Sequence, residues 1–260
     1  MHHPRILCIT GATRGLGFAL VERALALGDS VIGTFRDETR AKDLFNLARQ
    51  NERNLHVVQL DVADEYSCAT LVKRLPSSID HIDVLVNNAG INSTSRDIAD
   101  PRTAYDLGSI TTAALDRMMH TNAFGPIFVT RALLPFLARS FQKTNENNRS
   151  MTGLTHHIPI VVNLSSRRGS LEEKTTGGNY GYCISKAALN MATRALAADL
   201  EPMGIVVVAV HPGAVRTSMA QPDARTSPAE AASRLIELID RLTPANHGFF
   251  LESDGTRRPW

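Results

Sequence analysis

The chain has 260 residues, of which 43% are hydrophobic and 21% are charged, and its formal net charge is +2. This length allows one or two domains with a well-buried core, and the near-neutral charge argues against a nucleic acid partner. The longest apolar run, Ile205–Val210, is far shorter than the roughly 20 residues of a membrane-spanning helix. Three scattered cysteines without a CxxC motif, and the absence of a signal-peptide pattern, favour a soluble cytoplasmic protein.

Short apolar strands alternate with amphipathic helices along the whole chain. The predicted strands are Arg5–Thr10, Ser30–Phe35, Leu55–Leu60, Val84–Asn87, Ile160–Leu164, Ile205–Val210 and Gly248–Leu251. The predicted helices are one that follows Gly17 and closes near Gly28, then Asp37–Gln50, Glu65–Leu75, Ile110–Phe141, Tyr180–Leu200 and Pro228–Leu242. Pro126 lies inside the fourth helix, so we expect a kink near Asn122–Pro126.

The strands are nearly continuous runs of Val, Ile and Leu, which is typical of a parallel sheet buried on both faces. Strict alternation of strands and helices predicts an α/β fold, a single-domain, doubly wound, seven-stranded parallel sheet (Rossmann-like) with helices on both faces, spanning residues 1–260. One stretch, Gln142–His157, lacks apolar periodicity and predicts a surface excursion. It follows a helix and precedes a strand. We therefore expect it at the N-terminal edge of the sheet, away from a ligand pocket at the opposite edge.

A glycine-rich turn, Thr10–Gly17, lies between the first strand and the first helix. Small residues let the backbone approach a pyrophosphate, and the helix N-terminus offers free N–H groups. The glycines could instead serve only the turn. Phe35 stands where an NAD-binding fold usually has an acid, and Arg36 follows it, so Arg36 and Arg14 favour the 2′-phosphate of NADP(H). Asp37 is better placed to cap the next helix.

Tyr182 and Lys186 are four residues apart on one face of a helix. An ammonium beside a phenol would lower the pKa of the phenol and make it a proton donor and acceptor. Alone, such a pair is commonly only an amphipathic pair. Here Ser165 and Ser166 follow the fifth strand, where a hydroxyl can point into the same crevice.

These motifs, taken together in order, resemble the short-chain dehydrogenase/reductase family. They are the TGxxxGxG turn of residues 10–17, Asp61-Val62, Asn87-Asn88-Ala89-Gly90, Asn122, Asn163-Leu164-Ser165-Ser166, Tyr182-x-x-x-Lys186 and Pro212-Gly213. The stretches around residues 165–170, 177–190 and 211–217 and the ending Gly255–Trp260 are similar to the C-factor and Sniffer-type carbonyl reductases within that family. The resemblance implies an NADP(H)-dependent oxidoreductase for a small carbonyl or alcohol substrate, and a homodimer or homotetramer. An NADP(H)-binding signalling protein of the same fold is the alternative.

By the same resemblance, Tyr182 is the acid/base, Lys186 lowers its pKa, Ser166 binds the substrate carbonyl, and Asn122 holds a proton-relaying water. The resemblance also implies the cofactor-binding set, which is Gly11, Thr13, Arg14, Gly15, Leu16, Gly17, Arg36, Asp61, Val62, Asn88, Ala89, Gly90, Tyr182, Lys186, Pro212, Gly213, Val215 and Thr217. Ser166 precedes Tyr182 by more than the family's usual gap, and Ser170 is its rival. We prefer Ser166 because it directly follows the strand.

Three segments at the carboxyl ends of strands are expected to choose the substrate: Ile91–Gly108, Arg167–Gly181 and Gly213–Ser227. The last is short, which predicts an open pocket. His211 ends a buried strand and is expected to be a hydrogen-bonded core histidine. His156 and His157 lie in the excursion, and no HExxH motif is present, so no metal site is predicted.

Overall fold

The computed structural model describes residues 4–150, 158–219 and 224–260, leaving aside the side chains of 143–150. Within these ranges, seven strands form one parallel sheet in the order β3-β2-β1-β4-β5-β6-β7. The strands are β1 Ile6–Ile9, β2 Ser30–Phe35, β3 Leu55–Gln59, β4 Val84–Asn87, β5 Ile160–Leu164, β6 Val206–His211 and β7 Phe250–Glu252. The predicted doubly wound fold is confirmed, and every strand lies within two residues of its prediction.

Helices cover both faces of the sheet. They are α1 Gly15–Ala26, α2 Lys42–Gln50, α3 Glu65–Ala69, α4 Arg102–Tyr105, α5 Thr112–Met119, α6 Gly125–Ser150, α7 Tyr180–Leu200 and α8 Pro228–Arg241. Successive residues of β1 show why both faces are apolar. Leu7 and Ile9 pack with α1 and α8, whereas Cys8 faces the opposite core with α6 and α7. Side chains on a strand point alternately to its two faces, so a strand covered on both sides must be apolar throughout.

The long helix predicted over Ile110–Phe141 is two helices, α5 and α6, joined by a π-helical turn at His120–Phe124. Pro126 lacks the N–H group that would donate to the Asn122 carbonyl in a regular α-helix. The hydrogen bonds shift by one residue, and the Gly125 N–H donates to the His120 carbonyl. The turn lies where the sequence predicts a kink, and it carries Asn122.

The prediction of an irregular excursion over Gln142–His157 is wrong for its first part, because α6 continues to Ser150. Once a helix is nucleated, each further residue adds a hydrogen bond, so it can extend beyond its apolar stripe. Residues 151–157, which include His156 and His157, lie outside the described ranges. That this stretch stays away from the ligand pocket remains a prediction.

Candidate active site

A cleft of about 840 Å³ lies at the carboxyl ends of the strands. The sheet order reverses between β1 and β4, and in such sheets ligands bind at this reversal. Residues that follow β1, β2, β3, β4, β5 and β6 line the cleft. Every residue of the predicted cofactor-binding set is among them, together with Ser166. The sheet thus brings together motifs that lie up to 206 residues apart in the sequence, from Gly11 to Thr217.

The glycine turn forms one wall of the cleft, at the N-terminus of α1. Gly11 and Gly15 have φ angles of 67° and 57°, a left-handed conformation that glycine adopts without steric cost. A Cβ on Gly17 would lie 2.3 Å from the Gly11 carbonyl oxygen, so no larger residue fits there. The Asn88 amide donates to the carbonyls of Thr10 and Gly11 at 2.8 and 3.1 Å. Asn88 therefore fixes the turn to the end of β4.

Arginines line the part of the cleft next to this turn. Arg14 lies in the turn and hydrogen-bonds Ser218. Arg36 donates from Nη2 to both oxygens of Asp97, at 2.9 and 3.2 Å, and Arg117 shares that carboxylate at 3.2 Å. The Arg36 Nη1 and Nε groups have no partner among the described residues. Arg40, which the sequence interpretation missed, also lines the cleft.

Asp37, the acid that follows Arg36, is occupied locally. Its carboxylate accepts from the Thr39 backbone N–H at 3.0 Å and from the Thr39 hydroxyl at 2.7 Å. These hydrogen bonds lower the pKa of Asp37 and cap the short 3₁₀ turn Glu38–Arg40. This agrees with the interpretation of Asp37 as a cap.

Tyr182 lies in the first turn of α7 and lines the other end of the cleft. Burial raises the pKa of Tyr182, while a hydrogen bond with Ser166 and the charge of Arg168 lower it. Ser166 begins a 3₁₀ turn over Arg167–Gly169, and its hydroxyl accepts from the Arg168 backbone N–H at 3.2 Å. The phenol and the hydroxyl therefore face one point of the cleft.

Lys186 lies one turn further along α7. Its Nζ donates to the Leu164 carbonyl at 2.7 Å and lies 5.8 Å from the centre of the Tyr182 ring. Burial lowers the pKa of Lys186 to about 8. Ser166 and Arg168 lower the pKa of Tyr182. The four-residue spacing in the sequence predicts that effect for Lys186.

Asn122 is fully buried and does not line the cleft. Its Oδ1 accepts from the Ile91 N–H at 2.8 Å, and its Nδ2 donates to the Ile91 carbonyl at 2.8 Å and to the Ser185 hydroxyl at 2.9 Å. Ser185 in turn donates to the Tyr182 carbonyl at 2.9 Å. The side chain thus joins the π-helical turn to the end of β4 and the start of α7. Both of its amide hydrogens are already used.

Ser170, the rival of Ser166, is directed away from the cleft. Its hydroxyl donates to the Trp260 carbonyl at 3.1 Å and accepts from the Glu173 N–H at 3.2 Å. It does not appear in the lining of the cleft. Trp260 itself stacks on Phe250 with ring centres 5.6 Å apart. Ser170 therefore anchors its own loop to the C-terminal segment.

All three segments expected to choose the substrate contribute to the cleft. They supply Ile91, Asn92, Ser93, Thr94, Asp97 and Tyr105 from the first, Arg167, Arg168 and Asn179 from the second, and Gly213, Ala214, Val215, Thr217, Ser218, Met219 and Ala224 from the third. Thr121 and Leu164 also line it. The positions of strand ends indicate such residues, but not which side chains turn inward.

The environment of His211 differs from the one that the sequence predicts. It lines the cleft, and its Nδ1 is buried without a hydrogen-bond partner among the described residues. Burial, helped by the charges of Arg258 and Arg167, lowers the pKa of His211 to about 4. His211, at the end of β6, is therefore not the hydrogen-bonded core histidine that the sequence predicts.

In the described part of the chain, no group of three or more His, Cys, Asp or Glu side chains is arranged to hold a metal ion. A search of the same residues finds no helix with the length and apolar character needed to span a membrane.

Comparison with known proteins gives consistent matches. The short chain dehydrogenase family model matches residues 5–228. The chain is 37% identical to the C-signal protein of Myxococcus xanthus over 179 residues, which is 69% of this chain and 93% of that protein. Its structure is similar to the carbonyl reductase Sniffer of D. melanogaster, with a TM-score of 0.87, 30% identity, and coverage of 99% of this chain and 100% of that one. It is also similar to an NADPH-bound carbonyl reductase from chicken fatty liver, with a TM-score of 0.86, 29% identity and full coverage of both chains.

Proposed function

The chain belongs to the short-chain dehydrogenase family, and on this premise we propose that it is an NADP(H)-dependent oxidoreductase that interconverts a carbonyl and an alcohol, with Tyr182 as the acid/base. We also propose that residues 1–260 act as one domain, because residues from Gly11 to Ala224 line the same cleft. The observation that carries the proposal is the convergence of Ser166, Tyr182 and a glycine turn on that cleft.

The described residues fit NADP(H). Gly11 and Gly15 keep the turn open at the N-terminus of α1, where backbone N–H groups favour a diphosphate. Arg14 and the free Nη1 and Nε groups of Arg36 would hold a 2′-phosphate, since guanidinium groups match phosphate oxygens. Asp61, Val62 and Thr217 would flank the rest of the molecule. When bound, the cofactor supplies or accepts the hydride.

The protein's own residues then position the substrate and move a proton. Ser166 would donate its hydroxyl hydrogen to the carbonyl oxygen, and the Tyr182 phenol would protonate the same oxygen as it becomes an alcohol. In the reverse direction the phenolate takes the proton back. The Lys186 ammonium, whose pKa of about 8 lies near neutrality, can pass protons onward. Because the Asn122 amide hydrogens are used, a relaying water would have to be held by an oxygen of Asn122.

The test is NADPH oxidation with a panel of aldehydes and ketones, comparing the wild type with Tyr182→Phe. Loss of a positioned proton donor costs roughly 10²- to 10⁴-fold in rate. We expect a loss in that range, with the NADPH dissociation constant unchanged within about twofold. NADH in place of NADPH should raise KM for the cofactor. If the wild type bound NADPH and showed no turnover that depends on Tyr182, the protein would instead be a cofactor-binding regulatory protein.

We further propose that the protein forms a homodimer or homotetramer through α7. Ile184 and Met191 lie seven residues apart on this helix and are 48% and 71% exposed. Exposed apolar side chains at this spacing lie on one face, and contiguous apolar patches mark interaction surfaces. Sedimentation of the wild type and of Met191→Lys would test this, since a charge in the interface should favour monomers.

A further inference from the structure

The carboxylates that line the cleft lie at one of its ends, together with Arg14, Arg36 and Arg40. Its three carboxylates are Asp37, Asp61 and Asp97, and all follow strands β2, β3 and β4 on the side that would hold the adenosine. Beside Tyr182, by contrast, the lining contains Arg167 and Arg168 and no carboxylate from the described residues. The end of the cleft where the substrate would bind is therefore positively charged.

Arg168 is fixed in place by the catalytic elements themselves. Its backbone N–H donates to the Ser166 hydroxyl at 3.2 Å. The next residue, Gly169, packs so closely on α7 that a Cβ would lie 2.7 Å from the Lys186 carbonyl carbon. The Gly169 carbonyl also accepts from the Asn190 amide at 3.2 Å. The segment that carries Arg168 is thus held against the helix that carries Tyr182.

The guanidinium of Arg168 has no hydrogen bond or ion pair with another described residue. The nearby Arg258, by contrast, is paired with Glu173 and Glu252. Arg168 is half-buried, and its charge acts on both Tyr182 and Cys183. A half-buried cation without a partner, next to a proton donor, is suited to an anion that the protein does not itself contain.

We propose that Arg168 binds a carboxylate on the substrate, so that this protein acts on carbonyl compounds that also carry an acidic group. This inference rests on the proposed function, because it places the reacting carbonyl at Ser166 and Tyr182. A guanidinium matches a carboxylate through two parallel N–H donors. With the carbonyl held at one point and the carboxylate at another, the substrate would have a defined orientation.

The experiment uses ω-oxo carboxylic acids of increasing chain length and their neutral methyl esters, with NADPH. The variants are Arg168→Gln, Arg168→Lys, and Arg53→Gln as a control for loss of positive charge at an exposed position in the turn before β3. For each variant, kcat and KM are measured for every acid and ester. Titration calorimetry measures the dissociation constants of NADP⁺ and, with NADP⁺ bound, of the acids.

We expect the wild type to prefer at least one acid over its ester by about tenfold or more in kcat/KM, as a charge-assisted hydrogen bond allows. Arg168→Gln should abolish this preference by raising KM for the acid and not for the ester. Because the charge of Arg168 also lowers the pKa of Tyr182, any change in kcat should be the same for the acid and its ester. Arg168→Lys should retain part of it, and Arg53→Gln all of it.

Equal acid-to-ester ratios in the wild type and Arg168→Gln would overturn the proposal. It would also be overturned if Arg168→Gln weakened NADP⁺ binding as much as acid binding, since Arg168 would then serve the cofactor. If neither these aldehydes nor the panel of aldehydes and ketones described above were reduced, the proposed function would fail. Calorimetry would then decide this inference separately, by whether Arg168→Gln weakens binding of the acid at least about tenfold.

Discussion

Ser166 and Ser170, the two candidate catalytic serines after β5, differ in what their hydroxyl groups can reach. Ser166 lines the cleft, and its side chain lowers the pKa of Tyr182, so Ser166→Ala should remove the proposed donor to the substrate carbonyl. Removing one such donor costs about 10²- to 10³-fold in rate. We therefore expect Ser166→Ala to lower kcat/KM in that range and to leave the free energy of unfolding within about 1 kcal/mol of wild type.

Ser170→Ala is the matched control, because the same hydroxyl is removed four residues away. Its hydrogen bonds join Trp260 and Glu173, and one such hydrogen bond contributes about 0.5–1.5 kcal/mol to stability. We expect lower stability in urea and a kcat/KM within about threefold of wild type. A larger loss of turnover from Ser170→Ala than from Ser166→Ala would reverse the assignment.

At the level of single residues, the sequence indicated which positions gather at the cleft, because parallel strands bring their carboxyl ends to one edge. The sequence could not indicate which partner each side chain would bind. The Asp97 carboxylate meets Arg36 across 61 residues of chain, and no local spacing encodes that ion pair. The same holds for His211, whose unpaired Nδ1 depends on neighbours from other parts of the chain.

At the level of elements, the π-helical turn packs against the side of the cleft that we propose for the cofactor. Gly125 follows the turn, and a Cβ there would lie 2.7 Å from the Val62 carbonyl oxygen and 3.0 Å from the Val62 Cβ. Val62 lines the cleft. Gly125→Ala should displace Val62, lower stability by about 1–3 kcal/mol as overpacking does, and weaken NADPH binding.

Gly108→Ala provides the control for Gly125→Ala, because a Cβ at Gly108 meets no atom within 4 Å. Fluorescence titration with NADPH and unfolding in urea would be compared for the two variants. The interpretation fails if Gly125→Ala and Gly108→Ala have the same NADPH dissociation constant and the same urea midpoint.

The elements differ in how well their sequence specified them. Pro126 indicated the interruption between α5 and α6, because a missing N–H is a local property. The extension of α6 to Ser150 was missed, because periodicity reports the buried stripe of a helix and not its whole length. Helix α4, Arg102–Tyr105, has a single turn and is too short to show a period.

At the level of the whole molecule, the strand order follows from general rules more than from any single motif. Buried parallel strands with right-handed crossovers leave few arrangements, and the doubly wound order is among them. The confinement of carboxylates to one end of the cleft could not be predicted, since it arises from loops such as Arg167–Gly169 and the segment with Asp97. It becomes visible only when all strand ends lie side by side.

The half-buried His211, whose Nδ1 is buried, makes the stability of the whole protein depend on pH. Its pKa is lowered from 6.5 to about 4 in the folded state, so the unfolded chain binds a proton there between these values and the folded protein does not. By linkage, stability rises with pH across this window. The contribution reaches up to about 3 kcal/mol, at about 1.4 kcal/mol for each pKa unit. It is present above pH 6.5 and is lost as the pH falls towards 4.

His211→Asn should therefore flatten the pH dependence of the free energy of unfolding between pH 4 and 6.5. The measurement is a series of urea unfolding curves across this range for wild type, His211→Asn, and His56→Asn as a control on β3. Because Arg258 and Arg167 contribute to the low pKa, Arg167→Gln should flatten the dependence in part. If the free energy of unfolding of His211→Asn instead changed with pH as steeply as that of wild type, the fold would not hold His211 uncharged. In that case its position at the cleft would need another explanation.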